Sequence, residues 1–189
     1  NPILTCAGTA VPPSELTLMS CLRRTAAIWQ GLERAGVRGI KGVWSHEEGG
    51  SALFNAISIQ QLYSGHAREV GLIASQLVGP NGRYTVVVDE DIDPGNLSQV
   101  IWAIATRADP EHAIEVHHRQ RTTSADTIIP PEEKRRIKAT PKPLHSSRAV
   151  IDACRPYEWK AEWYPVARIS ADLRRRLLKK WEGQFQGLM

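Results

Sequence analysis

The segment YTVVVDEDIDPGNLSQVIWAIATRA, residues 84–108, carries the strongest secondary-structure signal in the chain. Its opening YTVVV is an uninterrupted aromatic and β-branched run, which predicts a strand buried on both faces of a sheet. Pro94-Gly95 then predicts a turn, and Asn96 can cap a helix. The helix is predicted by apolar residues at i, i+3, i+4, i+7 and i+8, which are Leu97, Val100, Ile101, Ile104 and Ala105. Strand, turn and amphipathic helix together predict a β-α unit.

Helices and strands also alternate on the N-terminal side of this unit. Extended runs at 40–44 and 53–59 predict two strands, and Ser64-Gly65 opens a helix that ends before Gly79-Pro80. An earlier helix, with Ser14 as its cap, is predicted by apolar residues at helical spacing, which are Leu18, Leu22, Ala26, Trp29 and Leu32. This alternation predicts an α/β fold, a layered mixed β-sheet flanked by helices.

The periodic pattern weakens after residue 109, although 114–117 could add one more strand. We therefore expect an α/β body over residues 1–118. A long, irregular, proline-rich segment over 119–168 is expected to wrap its surface. A C-terminal amphipathic basic helix over 169–189 is predicted, because Ser170 can cap it and apolar residues recur every four positions at Leu173, Leu177 and Trp181.

The composition fits one ordinary globular domain. The chain has 189 residues, 42% of them hydrophobic, and a net charge of +4, which excludes disorder as its overall state. No window approaches the ~20 uncharged apolar residues of a membrane-spanning helix, so we expect no membrane partner. The three cysteines form no C-x-x-C pair, and we interpret them as buried thiols in the cytoplasm. Because the sequence starts at Asn1 without a signal-peptide pattern, we expect a piece of a longer protein.

Charge is distributed unevenly along the chain. Residues 1–130 contain 10 Lys or Arg and 13 Asp or Glu, whereas residues 131–189 contain 14 and 7. The basic region could bind nucleic acid or an acidic partner, and aromatic residues among its cations could stack on bases or pack against a neighbour. These aromatic residues are Tyr157, Trp159, Trp163 and Tyr164. A stand-alone interaction module is therefore the alternative function, although the acidic main body argues against nucleic acid.

No motif in the chain identifies a catalytic site by itself. The acidic run DEDID at 89–93 is not followed by the glycine and glutamate of an EF-hand loop. A strand-end carboxylate could hold magnesium, but we expect these side chains to favour the N-terminus of the following helix. His117 and His118 would point to opposite faces of a strand, so no metal site is predicted. His66 could contact an anion or pack internally, and no G-x-S-x-G, G-x-G-x-x-G or Walker motif occurs.

Phrases at four places along residues 1–156 occur in the order found in one known enzyme family. They are NPIL with VPP (1–4 and 11–13), SIQQLYSGHA (58–67), VVVDEDID with VIWAIATR and DP (86–93, 100–107 and 109–110), and RAVIDACRP (148–156). Together they resemble the UbiD family of decarboxylases. One phrase alone would be weak, but their order makes the resemblance specific.

The resemblance implies the C-terminal domain of a reversible decarboxylase of aromatic, heteroaromatic or α,β-unsaturated carboxylic acids. Family members use prenylated FMN, with a divalent metal and potassium, and their catalytic arginine and two glutamates precede the point where this sequence begins. We therefore expect no catalytic residue and no bound cofactor in this chain, and no activity from it alone. Its implied roles are to close the substrate cleft against its own N-terminal flavin-binding half and to make homo-oligomer contacts through helix 170–185.

The resemblance also implies an apolar wall that keeps water away from the flavin. The substrate-facing candidates are Met19, Leu62, Tyr63, Ala103 and Ile104. Ile104 would fit a helix core equally well. Where this chain has Gln60 and Gln61, the family often has a lysine that can approach the cofactor. Both glutamines are cofactor-binding candidates, and they offer hydrogen bonds without the charge that a phosphate contact would use.

Overall fold

A computed structural model of the chain describes residues 15–50, 53–80, 82–139, 141–167 and 169–181. The helices are α1 (Glu15–Arg34), α2 (His66–Leu77), α3 (Leu97–Arg107), α4 (Pro110–Ala113), α5 (Pro131–Ala139) and α6 (Ala171–Lys180). The strands are β1 (Ile40–Ser45), β2 (Phe54–Ile59), β3 (Tyr84–Asp89), β4 (Ile114–Thr122) and β5 (Leu144–Ala153). Short 3-10 helices lie at Glu47–Gly49 and Tyr157–Glu162. The predicted α/β fold with a mixed sheet is confirmed.

The five strands form one sheet in the order β1-β2-β3-β5-β4. β2, β3 and β5 are parallel, and the antiparallel strands β1 and β4 lie at the two sides. β3 is central, and residues 85–89 are buried, as its β-branched run predicts. Three parallel strands therefore end at the same edge of the sheet. We call this the carboxyl edge, and the residues that follow β2, β3 and β5 lie there.

Helices cover both faces of the sheet, so the domain has three layers. On one face, α1 and α2 enclose a core that contains Ile28, Leu32, Ile57, Val70, Ala74 and Val87. On the other face, α3 encloses a core that contains Ala56, Val86, Val88, Val100, Ala103 and Ile151. Successive valines of β3 alternate between the two cores, as the two-residue period of a strand requires.

α1 confirms the first predicted helix, and its apolar residues fall on two faces. Its buried residues are Thr17, Cys21, Ile28 and Leu32. Leu18 and Leu22, whose spacing predicted the helix, are 43% and 50% exposed. They belong to a second stripe, rotated about the helix axis from the buried one, which consists of Leu16, Leu18, Met19 and Leu22. We call it the α1 apolar stripe; the predicted cap, Ser14, lies outside the described residues.

Residues 119–168 are more regular than the sequence pattern predicts. The expectation of an irregular wrapping segment is wrong, because β4 extends to residue 122 and α5 and β5 follow. β5 lies inside the sheet, between β3 and β4. Its first half, LHSSR, is polar and lacks the apolar run or alternation that identifies a buried strand. Residues 119–122 and 144–153 of this segment are thus part of the sheet rather than a wrapping on its surface.

Arg148 explains how the polar half of β5 is accommodated. Its side chain is buried, and its guanidinium donates to the backbone oxygens of Ser75, of Gly79 at 3.0 Å and of Arg121 at 3.3 Å. Burial lowers the pKa of Arg148. The guanidinium reaches the C-terminal end of α2 and also β4, so this one side chain of β5 holds three elements together. Its positive charge at the C-terminal end of α2 also complements the dipole of that helix.

β4 occupies one side of the sheet and is irregular. Its pairing with β5 shifts between His117 and Gln120. Arg119, at this shift, has a φ of 57°, a backbone region that residues other than glycine seldom adopt. The predicted strand at 114–117 is therefore confirmed but continues past a bulge.

The predicted C-terminal helix is present as α6. Ser170 caps it, since its Oγ accepts a hydrogen bond from Leu173 N at 3.2 Å. Its apolar residues Leu173, Leu177, Leu178 and Trp181 are all 39–44% exposed. Within the part of the chain that the structure describes, no helix is both long and apolar enough to cross a membrane.

Candidate functional site

A cavity of about 270 Å³ opens at the carboxyl edge. Its lining consists of Gln61, Ser64, Gly65, Arg107, Asp109, His112, Ala113, Asp152, Cys154, Arg155, Pro156, Tyr157 and Glu158. In open α/β sheets, ligands commonly bind in the crevice outside the carboxyl ends of the strands. We therefore take this cavity and the ion pairs beside it as the candidate site.

Asp89, the last residue of β3, lies at the centre of the site. Its side chain is fully buried, and its Oδ1 lies 2.8 Å from both Gln61 Nε2 and Lys160 Nζ. Its Oδ2 accepts from the backbone N of Arg155 at 2.7 Å and from Arg155 Nε at 2.9 Å, and lies 3.2 Å from Arg107 Nη1. Burial alone would raise the pKa of Asp89. The hydrogen bonds from Arg155, Lys160 and Gln61 outweigh it and hold this pKa below its usual range.

The neighbouring acidic residues extend this ion-pair cluster. Asp91 forms a bidentate pair with Arg107 at 2.8 and 2.9 Å, and Glu90 accepts from Lys160 at 3.0 and 3.2 Å. The expectation that the acidic run stabilises the N-terminus of α3 is thus wrong for Asp89, Glu90 and Asp91, whereas Asp93 Oδ1 accepts from Gly95 N at 2.9 Å, just before that helix. Asn96 caps α3, as predicted, by accepting from a first-turn backbone N–H at 3.2 Å. Most of the carboxylates point elsewhere because cations from α3 and from the segment after β5 converge on them.

Asp152 and Cys154 line the same cavity. Burial raises the pKa of Asp152, although its Oδ1 accepts from the backbone N of Cys154 at 3.0 Å. Burial also raises the pKa of the Cys154 thiol well above its ordinary value, so this thiol is not an activated nucleophile. Cys21 and Cys154 are free and buried, as predicted, and Cys6 lies outside the described residues. Among the residues that the structure covers, no cluster of His, Cys, Asp or Glu could hold a metal ion.

The loop between β2 and α2, residues 60–65, is joined to the segment that follows β5. Gln61 Nε2 donates to the backbone oxygen of Arg155 at 2.9 Å as well as to Asp89. Tyr157 Oη donates to the backbone oxygen of Leu62 at 3.0 Å. The 60–65 loop is therefore fixed to two other strand ends rather than free above the cavity.

His66 holds the same loop from the side of α2. It is buried, and its Nδ1 accepts from Leu62 N at 3.2 Å while its ring lies 4.6 Å from the ring of Tyr63. Burial lowers the pKa of His66, so the imidazole is neutral near pH 7 and Nδ1 remains an acceptor. Of the two interpretations of His66, the structure supports the internally packed histidine.

The five predicted substrate-facing residues do not form one surface. Leu62 and Tyr63 lie together on the 60–65 loop, 38% and 42% exposed. Ala103 is fully buried in the second core, so its predicted substrate-facing role is wrong: helix α3 turns this side chain onto the sheet. Ile104 is half-buried and packs against the same core. Met19, in the α1 apolar stripe, is 70% exposed.

Met19 lies toward the opposite end of the sheet from the carboxyl edge. Thr25 Oγ1 accepts from Ser45 N at 3.0 Å, and Ser45 pairs with the start of β2. The C-terminal end of α1 leads instead into Ile40, which pairs with Ile59 at the end of β2. At 1.5 Å per residue, Met19 is about 22 Å along the helix axis from the C-terminal end of α1. Met19 therefore cannot share one cavity with Leu62 and Tyr63 in this domain.

Gln60 and Gln61 have different surroundings. The side chain of Gln60 is exposed. Gln61 donates twice from its amide nitrogen within the chain, so it has no N–H left for a flavin phosphate. The cavity of about 270 Å³ is also smaller than the ~300–1,000 Å³ of typical pockets for drug-sized ligands. The cofactor-binding role of Gln60 and Gln61 therefore stays a prediction.

Sequence patterns did not identify Arg107, Arg155 and Lys160 as the partners of Asp89. One signal was available, because a buried carboxylate is costly unless it is paired. An acidic residue that ends a buried strand thus predicts cations at the same edge. That signal does not say which cations, since the two arginines are 18 and 66 residues away in sequence.

The fold and the site define a three-layer α/β domain with an ion-pair cluster at its carboxyl edge and a half-exposed apolar loop beside it. The chain belongs to the UbiD family, because the family model of the 3-octaprenyl-4-hydroxybenzoate carboxy-lyase C-terminal domain matches residues 17–153. The resemblance in the sequence phrases is thereby confirmed.

Curated relatives match part of the chain. A phenolic acid decarboxylase of Bacillus subtilis (strain 168) is 31% identical over 119 residues, which are 59% of this chain and 24% of that protein. An anhydromevalonate phosphate decarboxylase of Aeropyrum pernix is 30% identical over 103 residues, 54% of this chain and 23% of that protein. The chain thus matches about a quarter of the length of these relatives.

Solved structures share the fold. The apo 3,4-dihydroxybenzoic acid decarboxylase of Enterobacter cloacae superposes with a TM-score of 0.71 at 20% identity, over 87% of this chain and 33% of that one. A UbiD-class enzyme from Pelotomaculum thermopropionicum in complex with FMN gives 0.70 at 22% identity, over 87% and 34%. The vanillic acid decarboxylase of Sedimentibacter hydroxybenzoicus in its closed form gives 0.70 at 20%, over 93% and 35%.

Proposed function

We propose that this chain is the C-terminal domain of a UbiD-like reversible decarboxylase. Its substrates would be aromatic, heteroaromatic or α,β-unsaturated carboxylic acids. The observation that carries the proposal is the family match over residues 17–153. Relatives named as phenolic acid and anhydromevalonate phosphate decarboxylases support the reaction class.

The domain's part in the reaction is to close the substrate cleft. Prenylated FMN, bound by an N-terminal half together with a divalent metal and potassium, would supply the electron sink for decarboxylation. Water must be excluded while charge develops on the substrate. Leu62 and Tyr63 offer half-exposed apolar surface on a fixed loop, which suits such a wall. Met19 and Ile104 remain candidates for contacts elsewhere along the interface between the two halves.

The domain also has surfaces suited to homo-oligomer contacts. The apolar residues of α6 are 39–44% exposed, and its other residues include Arg174, Arg175, Arg176, Lys179 and Lys180. One structural neighbour is an evolved dimeric form of a UbiD-class enzyme, which supports assembly as a property of such enzymes. The free, buried thiols of Cys21 and Cys154 fit a reducing compartment, and we place the protein in the cytoplasm.

Reconstitution of the full-length polypeptide that carries this sequence tests the proposal. Loaded with prenylated FMN, it should release CO2 from at least one acid in a panel of hydroxybenzoates, heteroaromatic acids and acrylates. Leu62→Ala should lower kcat/KM, because a shorter side chain admits water, while flavin content stays unchanged. Gln76→Ala, at an exposed position of α2, is the matched control and should behave as the unmodified protein. A full-length protein that binds no flavin would contradict the proposal.

A further inference from the structure

We propose that Gln61 is a positioning residue that sets the placement of Leu62 and Tyr63 in the substrate cleft. This inference rests on the proposed function. It assigns to Gln61 a role within the domain in place of the cofactor contact that the family resemblance implied. The juxtaposition that carries it is the amide of Gln61 between the carboxylate ending β3 and a carbonyl following β5.

The amide of Gln61 joins three strand ends. Gln61 follows β2, and its Nε2 lies 2.8 Å from Asp89 Oδ1 at the end of β3 and 2.9 Å from the backbone oxygen of Arg155 after β5. An amide nitrogen carries two N–H groups, and both acceptors are within hydrogen-bond distance. With both donors in use, the side chain has one orientation, and the backbone that leads into Leu62 is fixed with it.

The acceptor on β3 is itself immobilised. Asp89 is fully buried and is held by Arg107, Arg155 and Lys160, which come from α3 and from the segment after β5. Its position is therefore set by the sheet and by cations on both sides. The hydrogen bond from Gln61 to Asp89 therefore holds the 60–65 loop in a fixed place relative to the sheet. Because its acceptor is charged, this bond is stronger than a neutral one.

The backbone of Leu62 is held at both of its polar groups. Its N–H donates to His66 Nδ1 at 3.2 Å, and its carbonyl accepts from Tyr157 Oη at 3.0 Å. Ser64 Oγ donates to Glu158, which joins the far side of the loop to the same segment. The backbone is thus fixed while the side chains of Leu62 and Tyr63 stay 38% and 42% exposed. A fixed backbone that presents exposed apolar side chains is the arrangement a preorganised binding wall requires.

Glutamine meets the chemical requirement at this position, and its simplest replacements do not. Glutamate would place a second carboxylate against Asp89 and lacks the N–H donors. Methionine has a similar length and no donor, so it removes both hydrogen bonds without adding charge. Gln61→Met is therefore the test substitution, and Gln30→Met, at an exposed position of α1, is the matched control.

Two measurements on the full-length protein test the inference. Hydrogen exchange of the backbone amides at 62–65 should be at least about fivefold faster in Gln61→Met than in the unmodified protein, because the loop loses its anchor. With prenylated FMN bound, kcat/KM should fall roughly ten- to a hundredfold, since small misplacements near a reacting centre have effects of this size. Gln30→Met should change neither.

Measuring Gln61→Met in a protein that already carries Leu62→Ala separates a positioning role from general destabilisation. If Gln61 acts through Leu62, then Gln61→Met should cost at least about threefold less in kcat/KM when Leu62 is already alanine, because coupled residues are not additive. The fall in melting temperature should be the same in both backgrounds. An equal loss of kcat/KM in both backgrounds, or unchanged exchange at 62–65, overturns the inference. Failure of the proposed function is distinguishable, because the unmodified protein would then release no CO2 while the exchange measurement still reports whether Gln61 anchors the loop.

Discussion

Buried histidines link the loops of this domain to its helices and strands. His66 accepts from the backbone of the 60–65 loop, and His46 Nε2 lies 2.8 Å from the backbone oxygen of Pro94. Both side chains are at most 2% exposed. Burial lowers the pKa of each, although a hydrogen bond to Pro94 and the carboxylate of Glu48 partly oppose this for His46. Both imidazoles are therefore neutral in the folded protein at pH 7.

The lowered pKa values predict that the domain loses stability in mild acid. Unfolding restores the ordinary pKa of 6.5, so the unfolded state binds protons that the folded state does not. Stability should be full above pH 6.5 and should fall as the pH drops toward the folded pKa values. Each unit of lowering corresponds to about 1.4 kcal/mol. Melting temperatures measured from pH 8 to pH 5 should show this decline.

His66→Asn isolates one contribution to that decline. The asparagine oxygen can accept from Leu62 N but does not titrate, so the melting temperature should fall less steeply between pH 6.5 and 5. His145→Asn, at an exposed position, is the control and should keep the original slope. An unchanged slope in His66→Asn would contradict the assignment to His66.

At the scale of elements, a glycine allows α2 to approach the sheet closely. Gly71 of α2 faces β5 and β3, and a Cβ there would clash with Val150 Cγ1 and lie 3.2 Å from Val87 Cγ2. Gly31 of α1 also meets a neighbour, but that neighbour is the side-chain end of half-buried Leu77, at 2.6 Å. The two glycines thus differ in whether their surroundings can move.

Gly71→Ala and Gly31→Ala should differ in their effect on the stability of the domain. Gly71→Ala should lower the free energy of unfolding by about 1–3 kcal/mol, because overpacking a rigid core forces the helix off the sheet. Gly31→Ala should cost less, since Leu77 can change rotamer, whereas the gain in helix propensity of about 1 kcal/mol over glycine is common to both positions. Urea denaturation of both variants measures the difference. Equal losses would show that α2 can shift on the sheet as readily as Leu77 can rotate.

Local sequence signals predicted the elements that have a strong period. β3, α2 and α3 follow directly from β-branched runs, helical spacing and turn residues. β5 was missed because its half that carries Arg148 is polar, and only contacts with α2 and β4 make that half part of the sheet. The carboxyl edge was missed for a related reason. Gln61 and Arg155 are 94 residues apart, and no local pattern encodes that they meet.

At the scale of the whole molecule, the described residues leave apolar surfaces exposed, and two of these lie on α1 and α6. One is the α1 apolar stripe, whose members are 43–70% exposed. The other is the apolar face of α6. Single exposed apolar residues are ordinary, but contiguous groups mark interaction surfaces. These two surfaces are where we expect the domain to meet its N-terminal half and neighbouring subunits.

The exposed apolar face of α6 is where we expect contacts between subunits. Leu177→Glu in the full-length protein should reduce the mass measured by light scattering, because a carboxylate in the apolar face of α6 is not tolerated in a packed interface. Lys179→Glu adds the same side chain on the opposite face of α6 and is the control, with the mass expected to stay unchanged. If both variants keep the original mass, α6 is not an oligomer contact.

The bulge at Arg119 has a consequence for how copies of this domain can associate. A strand from another molecule could pair with the free edge of β4 only as far as His117. Beyond the bulge, its backbone amides would no longer be in register with the acceptors of β4. A bulge in an edge strand of this kind hinders the edge-to-edge pairing of sheets that leads to aggregation. Extension of the sheet by strand pairing at β4 is therefore limited.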